Sequence, residues 1–151
     1  MAYETLIQYA QTVMEGTTIV QGEAMTLITQ LPMCEYDMHF AAAAPSVELI
    51  RSWMPSISSY ASAIADELDP MADPELWGAA HRLVGLVTAM QTYVDVLVPT
   101  FGQIDDAALI ANLASDARSA ATEIVTGAGT AMAEAAVQQA TAAAQDGSDE
   151  G

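Results

Sequence analysis

The most regular hydrophobic pattern in the chain lies in the segment Asp73–Val98. Apolar side chains recur there every seven residues, with further apolar residues three and four positions away, which is the spacing of one helical face. The seven-spaced positions are Leu76, Leu83, Met90 and Leu97. Asp73 as N-cap and Pro74 as first helical residue signal the start of a helix, and Pro99 ends it. Because apolar positions cover more than half of the circumference, we expect other helices to surround this one.

A second helical pattern runs over residues 46–68. Its seven-spaced core positions are Ile50, Ile57 and Ile64. Pro45 predicts a boundary before this segment, with Ser46 as a candidate N-cap. The register continues through Pro55, so the pattern predicts one helix kinked at that proline rather than two helices. A tight turn at residues 69–72 places this helix antiparallel to the next one.

The N-terminal part of the chain gives shorter patterns. Ala2–Glu15 and Gly22–Leu31 each place apolar residues on one face and predict two short amphipathic helices. Gly16 is expected to close the first of them, and the β-branched run Thr17–Gln21 to form the loop between them. Met33–Ala44 is ambiguous, although its alanines favour a helix.

The last predicted helix starts at Asp105 or Asp106 and extends to about residue 145. About forty helical residues span roughly 60 Å, whereas a compact domain of this size is about 40 Å across. The helix must therefore break near Gly127 and Gly129 or project beyond the body. A projecting, alanine-faced helix suits close contact with another subunit, and the alternative is a frayed tail.

These patterns together predict an all-α protein: a single-domain bundle of four to five helices, with a helix kinked near Pro55 and a long Ala-rich C-terminal helix. The bundle domain is expected to cover residues 1–145. Residues 146–151 are acidic and glycine-containing, and we expect a disordered tail there.

Charge narrows the range of partners. The chain has 20 acidic residues, three basic residues and a formal net charge of -17. This charge argues against binding nucleic acid, which needs Lys and Arg to neutralise phosphates, and against anionic lipid surfaces. The absence of lysine with abundant Asp, Glu, Ala, Thr and Val resembles the composition of halophilic archaeal proteins and their viruses. The scattered acids favour this high-salt interpretation over a cationic or divalent-metal partner.

The sequence offers little catalytic chemistry. No nucleophile elbow, phosphate-binding glycine loop or C-x-x-C motif is present, so we expect no enzyme and no cofactor. Glu35 and His39 have the wrong spacing for a di-iron carboxylate bundle. Acidic residues crowd the turn between the two central helices without EF-hand spacing. A solvated turn is the favoured interpretation, and the weak metal candidates are Asp66, Asp69 and Asp73.

The expected location of the protein is inferred from its cysteine content and from the absence of signal-peptide and membrane-spanning patterns. Cys34 is the single cysteine, so no internal disulfide forms, and we see no signal peptide pattern. The longest apolar run is shorter than the roughly 20 residues that a bilayer requires. We therefore expect a cytoplasmic or virion protein that is neither secreted nor transmembrane.

Small residues mark the candidate contact surfaces. Gly78, Gly85 and Thr92 recur every seven residues opposite the main apolar stripe of their helix. Such a seam admits a closely packed helix, and the interpretation favours a neighbour from the same chain over a second subunit. The last helix adds Ala128, Ala131 and Ala135 as interface candidates.

The sequence therefore predicts a non-enzymatic structural or assembly protein that acts through helix–helix contacts, such as a capsid, connector or tail component of a halophilic virus. Its partner would be protein, through self-association or a larger assembly. A second hypothesis is a surface-coating or small-ligand-binding bundle, because Ala133–Gln145 is similar in composition to granule-coating phasins. That similarity covers barely a dozen residues. A third is a metal-dependent carboxylate/His bundle enzyme.

Overall fold

The computed structural model describes residues 2–35, 38–97 and 104–149, and these ranges contain four α-helices and no β-strand. The helices are α1 (Tyr3–Gln30), α2 (His39–Asp66), α3 (Pro74–Val96) and α4 (Ile104–Asp149), with a 3-10 turn at Leu31–Met33 after α1. The predicted all-α bundle with a long C-terminal helix is confirmed.

Successive helices run in opposite directions. Tyr9 near the start of α1 packs on Tyr60 near the end of α2, with ring centroids 5.2 Å apart. A short turn at residues 67–73 joins α2 to α3. Leu76 in the first turn of α3 contacts Gly127 in the second half of α4. α4 packs against both α1 and α3, so the four helices form an antiparallel bundle.

The seven-residue stripes of α2 and α3 are buried in the core. All of their seven-spaced residues are buried, and Ile50, Ile64, Leu83 and Met90 are fully so. α1 and α4 complete the core from the other side. Their largest fully buried side chains are Leu6, Leu27, Ile110 and Ile124. Leu109 of α4, by contrast, is 41% exposed.

The expectation that other helices surround α3 is wrong for the described residues. α3 packs on α2 and α4, whereas its face with Gly85, Thr88 and Thr92 is exposed.

The prediction that Gly16 ends the first helix is wrong, because α1 continues from Tyr3 to Gln30 without a loop at residues 17–21. Gly16 is buried where α1 crosses α2: a Cβ placed on it would lie 2.8 Å from Ile57 Cγ1 and 3.1 Å from Trp53 Cε3. The glycine therefore allows a close helix approach. Packing at that crossing offsets its low helix propensity.

The boundary expected at Pro45 is also wrong. α2 begins at His39 and passes through both Pro45 and Pro55, so Ser46 is a buried residue inside the helix rather than an N-cap. Each proline lacks an N–H and removes one hydrogen bond from the helix. The buried apolar stripe on both sides of each proline keeps the helix continuous. The prediction of one helix through Pro55 is confirmed.

α3 starts where the sequence predicted, with Asp73 as N-cap residue and Pro74 in its first turn. The Asp73 carboxylate makes no capping hydrogen bond to the helix. The helix ends at Val96, and the Leu97 carbonyl accepts a 2.6 Å hydrogen bond from Arg51 Nη2 of α2. A guanidinium there complements the negative end of the α3 dipole. The predicted end at Pro99 lies outside the described residues.

α4 is one unbroken helix of 46 residues. It continues through Gly127 and Gly129, where the length argument had allowed a break. At 1.5 Å per residue it is about 70 Å long, considerably longer than the other three helices. It also extends past the expected end near residue 145, because Asp149 is still helical. Residues 150 and 151 of the expected tail lie outside the described residues.

Candidate helix–helix interface

The last part of α4 extends beyond the bundle. Ala128 is the last fully buried residue of α4, and Ala131 and Met132 are half-buried. Every residue from Ala133 to Gln145 is exposed. We call residues 133–145 the α4 extension. It spans about 18 Å between its first and last residues, and it remains helical because alanine has the highest helix propensity.

The chemistry of the α4 extension differs from that of the chain as a whole. Between Glu134 and Asp146 it carries no charged side chain, although the protein has a net charge of -17. Apart from Glu134, its side chains are alanines, a threonine, three glutamines and Val137. Val137 is 64% exposed and is the large apolar side chain of the segment. Its alanines would allow close packing against another helix, and its amides offer hydrogen-bond donors.

A groove of about 710 Å³ lies beside the last bundle turns of α4. Its walls are the start of α3 and the preceding turn on one side, and the 122–134 part of α4 on the other. The lining residues are Ala72, Asp73, Pro74, Glu75, Leu76, Ala79, Thr122, Glu123, Thr126, Gly127, Thr130, Ala131 and Glu134. We call this the α3–α4 groove. Along α4 it ends where the α4 extension begins.

Gly127 shapes the floor of the α3–α4 groove. A Cβ on this residue would lie 2.6 Å from Leu76 Cδ2, so the leucine side chain packs directly over the glycine. With Ala79 and Ala131 these residues give the groove an apolar floor. Its rim is acidic, since Glu123 and Glu134 of α4 face the start of α3 across it.

Two of the carboxylates that line the groove, Glu123 and Asp73, have side-chain partners. Glu123 forms an ion pair with Arg82 of α3, in which both side chains are more than half exposed. Asp73 accepts a hydrogen bond from the Tyr3 hydroxyl of α1, with its two carboxylate oxygens each 3.3 Å from that hydroxyl. The exposed Arg82–Glu123 pair contributes at most about 1 kcal/mol and weakens with salt. The Tyr3–Asp73 hydrogen bond joins the first turns of α1 and α3.

Tyr3, at the start of α1, has a hydroxyl with a shifted pKa. Burial raises the pKa of its hydroxyl above the ordinary value of 10.0, and the charge of Asp73, the hydrogen bond to Asp73 and the charge of Glu134 raise it further. The Tyr3–Asp73 hydrogen bond joins the start of α1 to the start of α3, and the groove lining places the start of α3 beside residues 122–134 of α4. The start of α1, the start of α3 and the end of the bundle part of α4 therefore meet at one end of the molecule.

The raised Tyr3 pKa predicts a pH effect on stability. The folded state holds the Tyr3 proton more tightly than the unfolded state, so Tyr3 contributes stability below pH 10.0 that is lost as pH rises through its folded-state pKa. We expect Tyr3→Phe to lower the urea midpoint at neutral pH. The difference from the wild type should shrink above pH 10.0. Urea titrations of both proteins across this range test it, and two parallel pH profiles would contradict it.

The small-residue seam of α3 has no neighbour within the described chain. A Cβ at Gly78 or Gly85 would meet nothing within 4 Å. Gly85 and Thr92 are exposed, and Gly78 is half-buried. The favoured expectation of a close neighbour from the same chain is therefore wrong for the part of the chain that the structure describes. Beside the seam, His81 is exposed and stacks on Trp77, with ring centroids 4.0 Å apart.

The three α4 candidates lie in different environments. Ala128 is fully buried within the bundle, so it packs inside this chain and is not a surface residue. Ala131 is half-buried and lines the α3–α4 groove. Ala135 is exposed on the α4 extension. Ala131 and Ala135 therefore remain as surface candidates.

The acidic turn has local explanations for its carboxylates. Asp69 accepts a hydrogen bond from the Met71 N–H at 2.9 Å, as in an Asx turn, and Asp73 is bonded to Tyr3. Asp66 is exposed at the end of α2. Among the described residues no three His, Cys, Asp or Glu side chains are grouped so as to hold a metal ion. The structure does not bring the weak metal candidates together.

Sequence reasoning identified the α4 extension but missed the α3–α4 groove. The groove depends on Leu76 packing over Gly127, a contact between residues far apart in the chain. Gly127 had been noted only as a weak point in the helix. A glycine in a helix that otherwise favours alanine is a signal for close packing at that position.

Fold and surfaces together define an antiparallel four-helix bundle with one extended helix. No family model, curated protein or solved structure matches the chain. None of the described helices has the length and apolar character needed to cross a membrane.

Proposed function

We propose that this protein is a structural or assembly protein that acts through helix–helix contacts made by the α4 extension. The observation that carries this proposal is the exposure of every residue from Ala133 to Gln145 around a continuous helix. An isolated helix of this length is only marginally stable in water. A partner helix packed against it would bury its alanines and Val137 and would stabilise it.

The charge of the chain supports a setting at high salt. At a net charge of -17, copies of the protein repel one another at low ionic strength. At about 1 M salt the Debye length falls to about 3 Å and this repulsion is largely screened. We therefore propose that assembly takes place at high salt, and a virion component of a halophilic virus is the particular case that we favour.

A truncation tests the proposed function. Removing residues 135–151 deletes the uncharged, exposed part of α4 and leaves Glu134 as the last residue, so the bundle core is untouched. We expect the full chain to associate at about 3 M NaCl and the truncated chain to stay monomeric, because screening removes repulsion only where a contact surface exists. Light scattering at several protein concentrations measures the mass against the 15.8 kDa of one chain.

Circular dichroism of the truncated protein provides the control, since its helical signal should fall only by the share of the deleted residues. A full chain that is monomeric at all salt concentrations would contradict the proposed function. So would a truncated chain that associates as strongly as the full one.

A further inference from the structure

The α4 extension and the α3–α4 groove lie on the same face of one helix. Gly127, Thr130 and Glu134 line the groove, and Val137 and Thr141 follow them at spacings of three and four residues. Positions with this spacing share a helical face. The exposed Val137 therefore points to the same side of α4 as the groove, one turn further along.

The two features are adjacent along α4. The groove occupies the 122–134 part of α4, and the uncharged run of residues 135–145 follows it directly. The groove covers twelve residue steps and the uncharged run ten, or about 18 Å and about 15 Å. If two copies of α4 lie antiparallel, a two-fold axis near Ala133 and Glu134 superposes each extension on the groove of the other copy. One symmetric contact then fills both grooves and covers both extensions.

The polar groups of the two features are complementary. The groove rim carries the acceptors Glu123 and Glu134. Beyond Glu134 the extension carries no charge that would be repelled by them, and its glutamines supply amide donors. In the antiparallel register Gln145 of one copy lies level with Thr122 and Glu123 of the other, where it can donate to the carboxylate. Hydrogen bonds to a charged acceptor are stronger than those between neutral groups.

We propose that the partner of the α4 extension is the α3–α4 groove of a second copy of this chain, in an antiparallel two-fold dimer. This inference rests on the proposed function and names its partner. Val137 of each copy enters the apolar floor of the other groove, opposite Thr130. The two Glu134 carboxylates come close to the axis, so the dimer is strengthened by salt.

Cysteine pairing tests the register. In a Cys34→Ser background, Thr130→Cys and Val137→Cys are made as separate proteins, mixed at high salt and oxidised. We expect a disulfide-linked dimer that contains one copy of each variant, because these positions oppose each other in the antiparallel register. Gln139→Cys lies on the opposite face of the extension and is the matched control, expected to give no product with Thr130→Cys. A dimer linked Val137→Cys to Val137→Cys places this residue opposite itself, as in a parallel pair or in an antiparallel pair with another axis, and overturns the proposal, as does the absence of any mixed product.

Added charges test whether the α3–α4 groove is the binding site of the extension. Thr130→Glu puts a carboxylate in the groove and Val137→Glu puts one on the extension, and both positions are exposed, so neither should unfold the bundle. We expect each to raise the dimer dissociation constant at least about tenfold, whereas Gln139→Glu, with the same added charge, should leave it within about twofold.

The outcomes separate the two proposals. Val137→Glu and the truncation at residue 135 could abolish association while Thr130→Glu does not. In that case the extension binds elsewhere, so the groove is not its binding site, while the proposed function stands. If the truncation leaves association unchanged, both are overturned.

Discussion

Replacing Leu83 with alanine is expected to lower the free energy of unfolding by about 2–5 kcal/mol. Leu83 is fully buried at the centre of the α3 stripe, so the shorter side chain leaves a cavity that the surrounding helices only partly fill. Domains of this kind have about 5–15 kcal/mol of stability in total, so this is a large fraction. Urea unfolding followed by circular dichroism measures it.

Leu109→Ala is the matched control for Leu83→Ala. It is the same chemical change in a helix of the same bundle, but Leu109 is 41% exposed and loses fewer contacts. We expect a loss of about 1 kcal/mol or less. Equal losses at the two positions would mean that the α3 stripe is not packed in the core.

Replacing Gly16 with valine is expected to destabilise the protein by roughly 1–3 kcal/mol. The new Cβ would lie 2.8 Å from Ile57 Cγ1, and Ile57 is buried and β-branched, so it cannot turn away. α1 and α2 must therefore move apart at their crossing. The urea midpoint gives the loss.

Gly22→Val separates this effect from helix propensity. Gly22 is in the same helix, and a Cβ there meets nothing within 4 Å. Because valine is a somewhat better helix former than glycine, we expect this change to be neutral or to stabilise by up to about 0.5 kcal/mol. If the two valine variants unfold at the same urea concentration, the crossing at Gly16 is not close-packed.

Hydrophobic periodicity was enough to predict the bundle. A helix that buries one face needs apolar residues at regular spacings along the sequence. The seven-spaced stripes of α2 and α3 follow this rule, so they could be recognised without the tertiary structure. The turn signals at Asp69 and Asp73 also marked true helix ends, because short turns between antiparallel helices depend on local residues.

Signals for helix breaks were less reliable. Gly16 and Pro45 were both interpreted as boundaries, yet both lie inside helices. Their intrinsic cost is of the order of 1–3 kcal/mol, which a well-packed neighbouring helix can offset. Whether such a neighbour exists is a property of the tertiary structure, so the local sequence cannot reveal it.

The candidate interface was predicted only in part. The exposed end of α4 followed from comparing helix length with domain size, which needs no tertiary contacts. The α3–α4 groove did not follow, because it depends on the pairing of Leu76 with Gly127 between two helices. The sequence pattern also identified the seam at Gly78 and Gly85. Whether this seam faces another helix or the surface depends on how the other helices pack, which the pattern does not contain.

The continuity of α4 has a consequence for spacing. The same helix forms part of the bundle and the whole of the extension, so no flexible joint separates the two. A neighbour bound to the extension is therefore held at a fixed distance and a fixed angle from the bundle. Each residue inserted after Glu134 would move that neighbour by about 1.5 Å and rotate it by about 100°. An insertion of seven residues would nearly restore the angle while adding about 10 Å. In the assembly proposed above, the length of α4 would therefore set the spacing between neighbouring copies.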